Sequence, residues 1–263
     1  MGRSVEIGKW KKAKGVVLVL AVLSIVAGAN GAKLEGHNFG AAAPGGWANS
    51  GLSTVPATPY GVAALAVDAL LPSRGYVAKL SPSPYGWLQV GADPVLVGIT
   101  DKLSIDIWVL QPSTSTSMQR IVGRAYDWYI DQASTTKFAS WTFRDARASA
   151  TPITIVGSAS LADNMWHRIV ATYDAAAGTA SLDVDGVITT VTSIPLTPGG
   201  TVSQTSTARY AIGARATSDT LATNMWRGSI DNARIYNEII PEPITIVLLG
   251  LGSMLVRRFR RRS

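Results

Sequence analysis

Apolar and polar residues alternate with period two in one stretch after another. Leu103-Ser-Ile-Asp-Ile-Trp-Val-Leu110 puts Leu103, Ile105, Ile107 and Val109 on one face and Ser104, Asp106, Trp108 and Leu110 on the other. That spacing, with β-branched residues, predicts a strand. Gln119–Ala125, Lys137–Phe143, Trp166–Tyr173, Ala180–Asp185, Val187–Val191, Arg209–Gly213 and Gly228–Tyr236 read the same way. Asp185-Gly186 between two alternating runs predicts a two-residue hairpin, because Gly accepts positive φ. Gly- and Pro-rich breaks fall at 40–46, 58–61, 81–86, 111–117 and 195–207. No gap between them carries a convincing helical period; Val62–Leu71 fits a short strand or a helical turn. The body, about 180 residues, is expected to be one all-β domain, an antiparallel sandwich or barrel.

The two ends break the alternation. Residues 1–14 are basic, 15–27 are an uncharged apolar run, and Ala27-Gly-Ala-Asn-Gly-Ala32 is small and turn-forming. This is the layout of a secretory signal peptide, with Ala27 and Ala29 at −3 and −1 and cleavage after Ala29. An uncleaved anchor is the alternative; both place the body outside the cytoplasm. At the other end, Pro241-Glu242-Pro243 precedes the uncharged run Ile244–Val256, then Arg-Arg-Phe-Arg-Arg-Arg-Ser. Thirteen residues make about 20 Å of helix against roughly 30 Å of hydrocarbon. Snorkelling by Arg257 and Arg258 extends it, Pro243 suits a first helical turn, and the Arg cluster is expected to stay cytoplasmic.

Charge follows the ends. The net charge is +7, but residues 1–32 and 241–263 each carry net +4. Residues 33–240 hold fourteen Lys and Arg against fifteen Asp and Glu. A near-neutral body argues against nucleic acid as a partner. With no Cys there is no disulfide framework, thiolate nucleophile or Cys-ligated metal, and two His leave little room for a His-rich site.

Two resemblances follow from these residues. Pro241-Glu242-Pro243, the apolar run 244–256 and the basic tail 257–263 resemble a PEP-CTERM sorting signal. That implies export in a Gram-negative-type bacterium, recognition of Pro241, Glu242 and Pro243 by an exosortase, and membrane anchoring before processing. Ser104-Ile-Asp-Ile-Trp-Val109, Trp166–Asp174 with Leu182–Gly186, Ala211-Ile-Gly213 and Gly228–Tyr236 resemble LamG-like jelly-roll domains of concanavalin A-like lectin/glucanase architecture. The expected organisation is a signal peptide at 1–29 and linker or irregular chain at 30–59. A jelly roll follows at 60–237, then the sorting signal at 241–263. An N-terminal signal helix and a short C-terminal transmembrane helix flank the sandwich.

The glucanase relation calls for a test of catalysis. Retaining glycosidases need two carboxylates about 5–5.5 Å apart. On the strand 104–109 only Asp106 is acidic, and the body's two Glu, Glu35 and Glu238, lie at its ends. A non-enzyme is expected. Asp183 and Asp185 share a face and read as solvated carboxylates at a hairpin tip. The resemblance admits Ca²⁺ there, but no loop is densely acidic, so no cofactor is expected. His167 reads as structural; no Gly-x-Ser-x-Gly, Walker, Rossmann or His-Glu-x-x-His motif is present. Ala162-x-Asn-Met-Trp166 and Ala222-x-Asn-Met-Trp226 read as loops leading into strands, each with a Trp anchoring the core. Trp108, Trp128, Tyr129 and Trp141 are the candidate sugar-stacking aromatics. Trp128 and Tyr129 beside Asp127 and Asp131 form the first candidate ligand patch; core packing is the competing role.

The expected function is a non-enzymatic, exported surface or matrix protein whose jelly roll binds glycan, exopolysaccharide or another surface partner. Its location is the periplasm, outer surface or extracellular matrix. The alternatives are a purely structural envelope component and an atypical polysaccharide hydrolase.

Overall fold

The computed structural model describes residues 33–37, 58–61, 64–67, 76–80, 86–91, 101–114, 117–124, 127–144, 152–192, 209–216 and 222–240. They belong to one compact unit, Gly31–Ile240. The cleavage residues Ala27 and Ala29, and the sorting residues Pro241, Glu242, Pro243, Arg257 and Arg258, lie outside the described residues, as do the two flanking helices. Among the described residues, no helix is long and apolar enough to cross a membrane.

All described elements are strands: β1 (Lys33–His37), β2 (Thr58–Gly61), β3 (Ala64–Val67), β4 (Tyr76–Leu80), β5 (Gly86–Gly91), β6 (Lys102–Leu110), β7 (Gln119–Arg124), β8 (Trp128–Gln132), β9 (Phe138–Phe143), β10 (Ile153–Ser160), β11 (Trp166–Asp174), β12 (Thr179–Val184), β13 (Val187–Thr192), β14 (Tyr210–Ile212), β15 (Arg215–Ala216), β16 (Ala222–Thr223) and β17 (Gly228–Tyr236). Every pairing is antiparallel. One sheet runs β13-β12-β11-β6-β17-β4-β3, with β1 also on β17; the second runs β10-β9-β8-β7-β14-β5-β2. The all-β sandwich expected from the alternation is the fold.

The period-two strands supply its middle. In β6 the predicted inner residues Leu103, Ile105, Ile107 and Val109 are all fully buried. Across the pairing, Ile107 faces Ile169 and Leu103 faces Tyr173 on β11. From the second sheet come Trp128, Ile130, Trp141 and Phe143. Two contacts clasp the sheets: the Phe143 and Tyr173 rings lie 4.8 Å apart, and Trp141 Nε1 donates to the Thr172 carbonyl at 3.2 Å. A Trp buried with its N–H satisfied keeps its full apolar contribution.

The Asp185-Gly186 hairpin forms as predicted. Val184 pairs with Val187, and φ is +55° at Asp185 and +87° at Gly186. Two positive φ values define the turn whose twist matches the flanking strands.

Eight strands were not read from the sequence. β1 and β2 fall in the stretch read as linker and irregular chain. β2 contains Pro59, which reads as a break, yet β2 is an edge strand, where a missing N–H costs no ladder bond. β4, β5, β8, β10 and the two-residue strands β15 and β16 were also missed; the second half of β10 is Gly-Ser-Ala-Ser, with no apolar period. The ambiguous stretch 62–71 holds a strand at Ala64–Val67.

Candidate functional site

Residues on β8 alternate between the two faces of the second sheet. Trp128 and Ile130 point into the core; Tyr129 and Asp131 take the outer face. Across the pairing, Asp131 meets Arg120 of β7, where a register shift lies between Arg120 and Val122. The guanidinium grips Asp131 at both oxygens, Nε to Oδ1 at 2.5 Å and Nη2 to Oδ2 at 3.2 Å. The same guanidinium lies over the Tyr129 ring, 3.6 Å from its centroid. Cation, carboxylate and aromatic ring thus form one unit, and a buried fork of this geometry holds itself rigid.

Tyr129 is half-exposed, whereas Arg120 and Asp131 are almost fully buried. Burial pushes the Asp131 carboxyl above its ordinary value, with Arg120 and then Arg215 acting against it. Beside Tyr129 on β7 stands Gly123. A Cβ there would meet Tyr129 and come within 2.6 Å of the Trp128 carbonyl oxygen, at φ +156°. Gly is the residue that lets Tyr129 lie against β7.

Polar groups continue the surface. Tyr129 is in register with Thr142 of β9, and Thr142 with Thr154 of β10. The two Thr hydroxyls share a hydrogen bond at 3.0 Å, and Ser140 Oγ donates to the Asp131 carbonyl at 3.4 Å. On the other side, residues 213–216 and 222–226 pack beside β5 and β14. Trp87, Ala211, Ala214, Ala216 and Met225 form a small buried apolar cluster there. Arg120 N donates to Asn224 O at 2.7 Å and Gly213 N to Ile121 O at 2.7 Å, joining these residues to β7. A half-exposed aromatic thus stands between a covered cluster and a strip of hydroxyls, an arrangement suited to the apolar face and hydroxyls of a sugar ring.

The structure divides the predicted patch. Tyr129 and Asp131 share the outer face. Trp128 is 0% exposed, 5.8 Å ring to ring from Tyr210, so it takes the competing core role. Asp127 is buried in the β7–β8 turn, its backbone N bonded to Arg124 O at 2.9 Å and its carboxylate 3.4 Å from Arg124 Nη1. Trp141 is core, and Trp108 is half-exposed on the outer face of the other sheet. Arg120 was missed. β7 was read as a strand, but only the β7–β8 register brings Arg120 to Asp131.

The other singled-out residues have polar partners within the fold. Asp106 forms a two-bond pair with Arg168 at 2.9 and 3.0 Å. His167 Nδ1 bonds Asp185 at 2.7 Å and Nε2 bonds Asp163 at 2.9 Å. Asp183 is not solvated as expected: it is 2% exposed, and its Oδ1 accepts the Gly186 N–H at 2.6 Å. Burial raises its carboxyl, against Gly186 and Arg168. The remaining Asp185 oxygen accepts the Arg168 N–H at 2.8 Å. Three of the four carboxylate oxygens of Asp183 and Asp185 are thus hydrogen-bonded within the chain. Among the described residues no group of three His, Asp or Glu could hold a metal ion. Of the paired Asn-Met-Trp loops, Trp226 is core as expected, but Trp166 is half-buried. Asn164 and Asn224 both take positive φ, +66° and +52°, which Asn tolerates.

The model of the concanavalin A-like lectin/glucanases superfamily matches residues 83–242. No curated protein matches the chain. Among solved structures, a chain reported with the finding that cell entry of botulinum neurotoxin type C depends on two ganglioside molecules is 15% identical, with TM-score 0.58, covering 86% of this chain and 52% of that one. The binding domain of botulinum neurotoxin DC in complex with rat synaptotagmin II is 14% identical, TM-score 0.56, covering 83% and 51%. Domain 4 of AbnA, a GH43 extracellular arabinanase from Geobacillus stearothermophilus, in complex with arabinotriose, is 18% identical, TM-score 0.56, covering 84% of this chain and 99% of that one. The chain thus spans about half the length of the toxin chains it matches and nearly all of the arabinanase domain. At these identities the likeness is one of fold. The family match and the fold agree: this chain belongs to the concanavalin A-like lectin/glucanase superfamily.

Proposed function

We propose that this chain is an exported, non-enzymatic surface or matrix protein whose jelly roll binds glycan through Tyr129, with Arg120 and Asp131 beneath it. The observation that carries the reading is the stacked unit itself: a half-exposed Tyr ring backed by a guanidinium that a buried carboxylate holds in place. Both Asp131 oxygens are engaged by Arg120, which suits orientation of a ligand better than attack on one. The fold relation to an arabinanase domain in complex with arabinotriose supports a carbohydrate partner. Pro241–Pro243, the apolar run and the Arg tail are read as the sorting signal, acting through the membrane and an exosortase-like enzyme.

A glycan array tests the binding half. Retention on at least one glycan, weakened about tenfold or more by Tyr129→Ala in a chain that still folds, is the expected result. No retention on any glycan would overturn it in favour of a purely structural role. Deleting 241–263 tests the sorting half: release of the protein is expected, and unchanged surface retention would contradict it.

A further inference from the structure

Strand β13 ends its sheet, and among the described strands only β12 pairs with it. Its sequence is Val-Ile-Thr-Thr-Val-Thr, six β-branched residues in a row without charge, Gly or Pro. None of the six is buried, and Val187 is 53% exposed. Its register with β12 runs unbroken from Val187 to Thr192. Folded proteins ordinarily blunt such an edge with a charge, a Pro or a bulge. In the second sheet, β2 carries Pro59 and β10 shifts register between Val156 and Ser160. β13 has none of these devices.

We infer that β13 pairs antiparallel with β13 of a second copy of this chain, about a two-fold axis perpendicular to the sheet. An edge without charge meets no like-charge repulsion from its own copy. A two-fold sets each side chain against a residue of the same strand, so any charge would face the same short segment; β13 carries none. The axis also keeps the faces matched, so directly opposed residues must be an even number of positions apart or identical. Of the two such registers that pair five residues, the one centred on Thr189 sets Val187 against Val191 of the second copy, covering the most exposed apolar residue of the strand. The other sets Thr192 against Ile188 and leaves Val187 uncovered.

Thr189 then faces itself. Directly opposed residues in antiparallel strands have Cα atoms about 4.5–5.5 Å apart, within the span a disulfide bridges. The chain has no Cys, so a single introduced thiol reports one position. The full-length Thr189→Cys protein, treated with oxygen and a copper–phenanthroline catalyst, is expected to form a covalent dimer at least about tenfold faster than Thr135→Cys in the exposed β8–β9 turn. Each bridge releases two protons and two electrons to the oxygen. Adding Val187→Lys to Thr189→Cys is expected to remove the advantage, because a cation on the edge opposes pairing. Matching thermal unfolding of the three variants establishes that each is folded. Cross-linking at Thr189 no faster than at Thr135, or unchanged by Val187→Lys, would overturn the inference.

Discussion

Asp185 grips two successive residues of β11: His167 through its ring at 2.7 Å and Arg168 through its backbone N–H at 2.8 Å. Asp163 closes the other side of the ring at 2.9 Å. The β12–β13 hairpin and the loop before β11 are therefore joined through one imidazole. Its two nitrogens face different carboxylates, a geometry that favours the doubly protonated ring.

This clamp is pH-dependent. The Asp185 hydrogen bond raises His167 above its ordinary 6.5, burial opposes it, and Asp163 adds to it. Asp185 is lowered below 3.8: burial would raise it, but the bonds from His167 and Arg168 outweigh that. Because the folded His pKa is raised, its stabilisation is complete below 6.5 and is lost as pH rises through the higher folded value. The Asp185 share is complete above 3.8 and is lost as pH falls through its lower folded value. Thermal unfolding between about pH 5.5 and about pH 8.5 should show the wild type losing stability, and His167→Gln losing distinctly less. Parallel curves would contradict the clamp.

Adjacent positions on β8 should behave in opposite ways. Trp128→Ala empties a fully buried site and is expected to cost about 3–5 kcal/mol by denaturant unfolding. Tyr129→Ala removes a half-exposed ring and should cost under about 2 kcal/mol while weakening glycan retention about tenfold or more. Equal destabilisation by the two would mean that Tyr129 is a packing residue.

The Asp106–Arg168 pair is lopsided in exposure, with side chains 9% and 29% exposed. Arg168→Ala strands a buried carboxylate and should cost about 2–3 kcal/mol, the usual buried-pair figure reduced for solvent at the Arg. Asp106→Ala leaves an Arg that can turn to water and should cost less, about 1–2 kcal/mol. Chemical denaturation of both variants checks the order; the reverse order would argue for another partner holding Arg168.

β6, β11 and the β12–β13 hairpin were legible because each alternates cleanly and one contains Asp-Gly. β8 alternates too, Trp-Tyr-Ile-Asp-Gln, but its residue types drew a ligand reading for all of Asp127, Trp128, Tyr129 and Asp131. Period two already separates Trp128 from Tyr129. Arg120 could not be found that way, since its place beside Asp131 follows from a register containing a shift. His167 between Asp163 and Asp185 was equally out of reach: the hairpin brings Asp185 back over β11, a tertiary relation that local spacing does not encode.

The face of the sandwich that a sugar touches distinguishes Tyr129 from Trp108 as its contact. Amide chemical shifts of the isotope-labelled protein, followed during titration with a glycan retained on the array, decide it. Perturbations clustered at Tyr129, Arg120, Asp131, Ser140 and Thr142 are predicted. A cluster instead around Trp108, Arg168 and Asp106 on the opposite sheet would contradict the assignment.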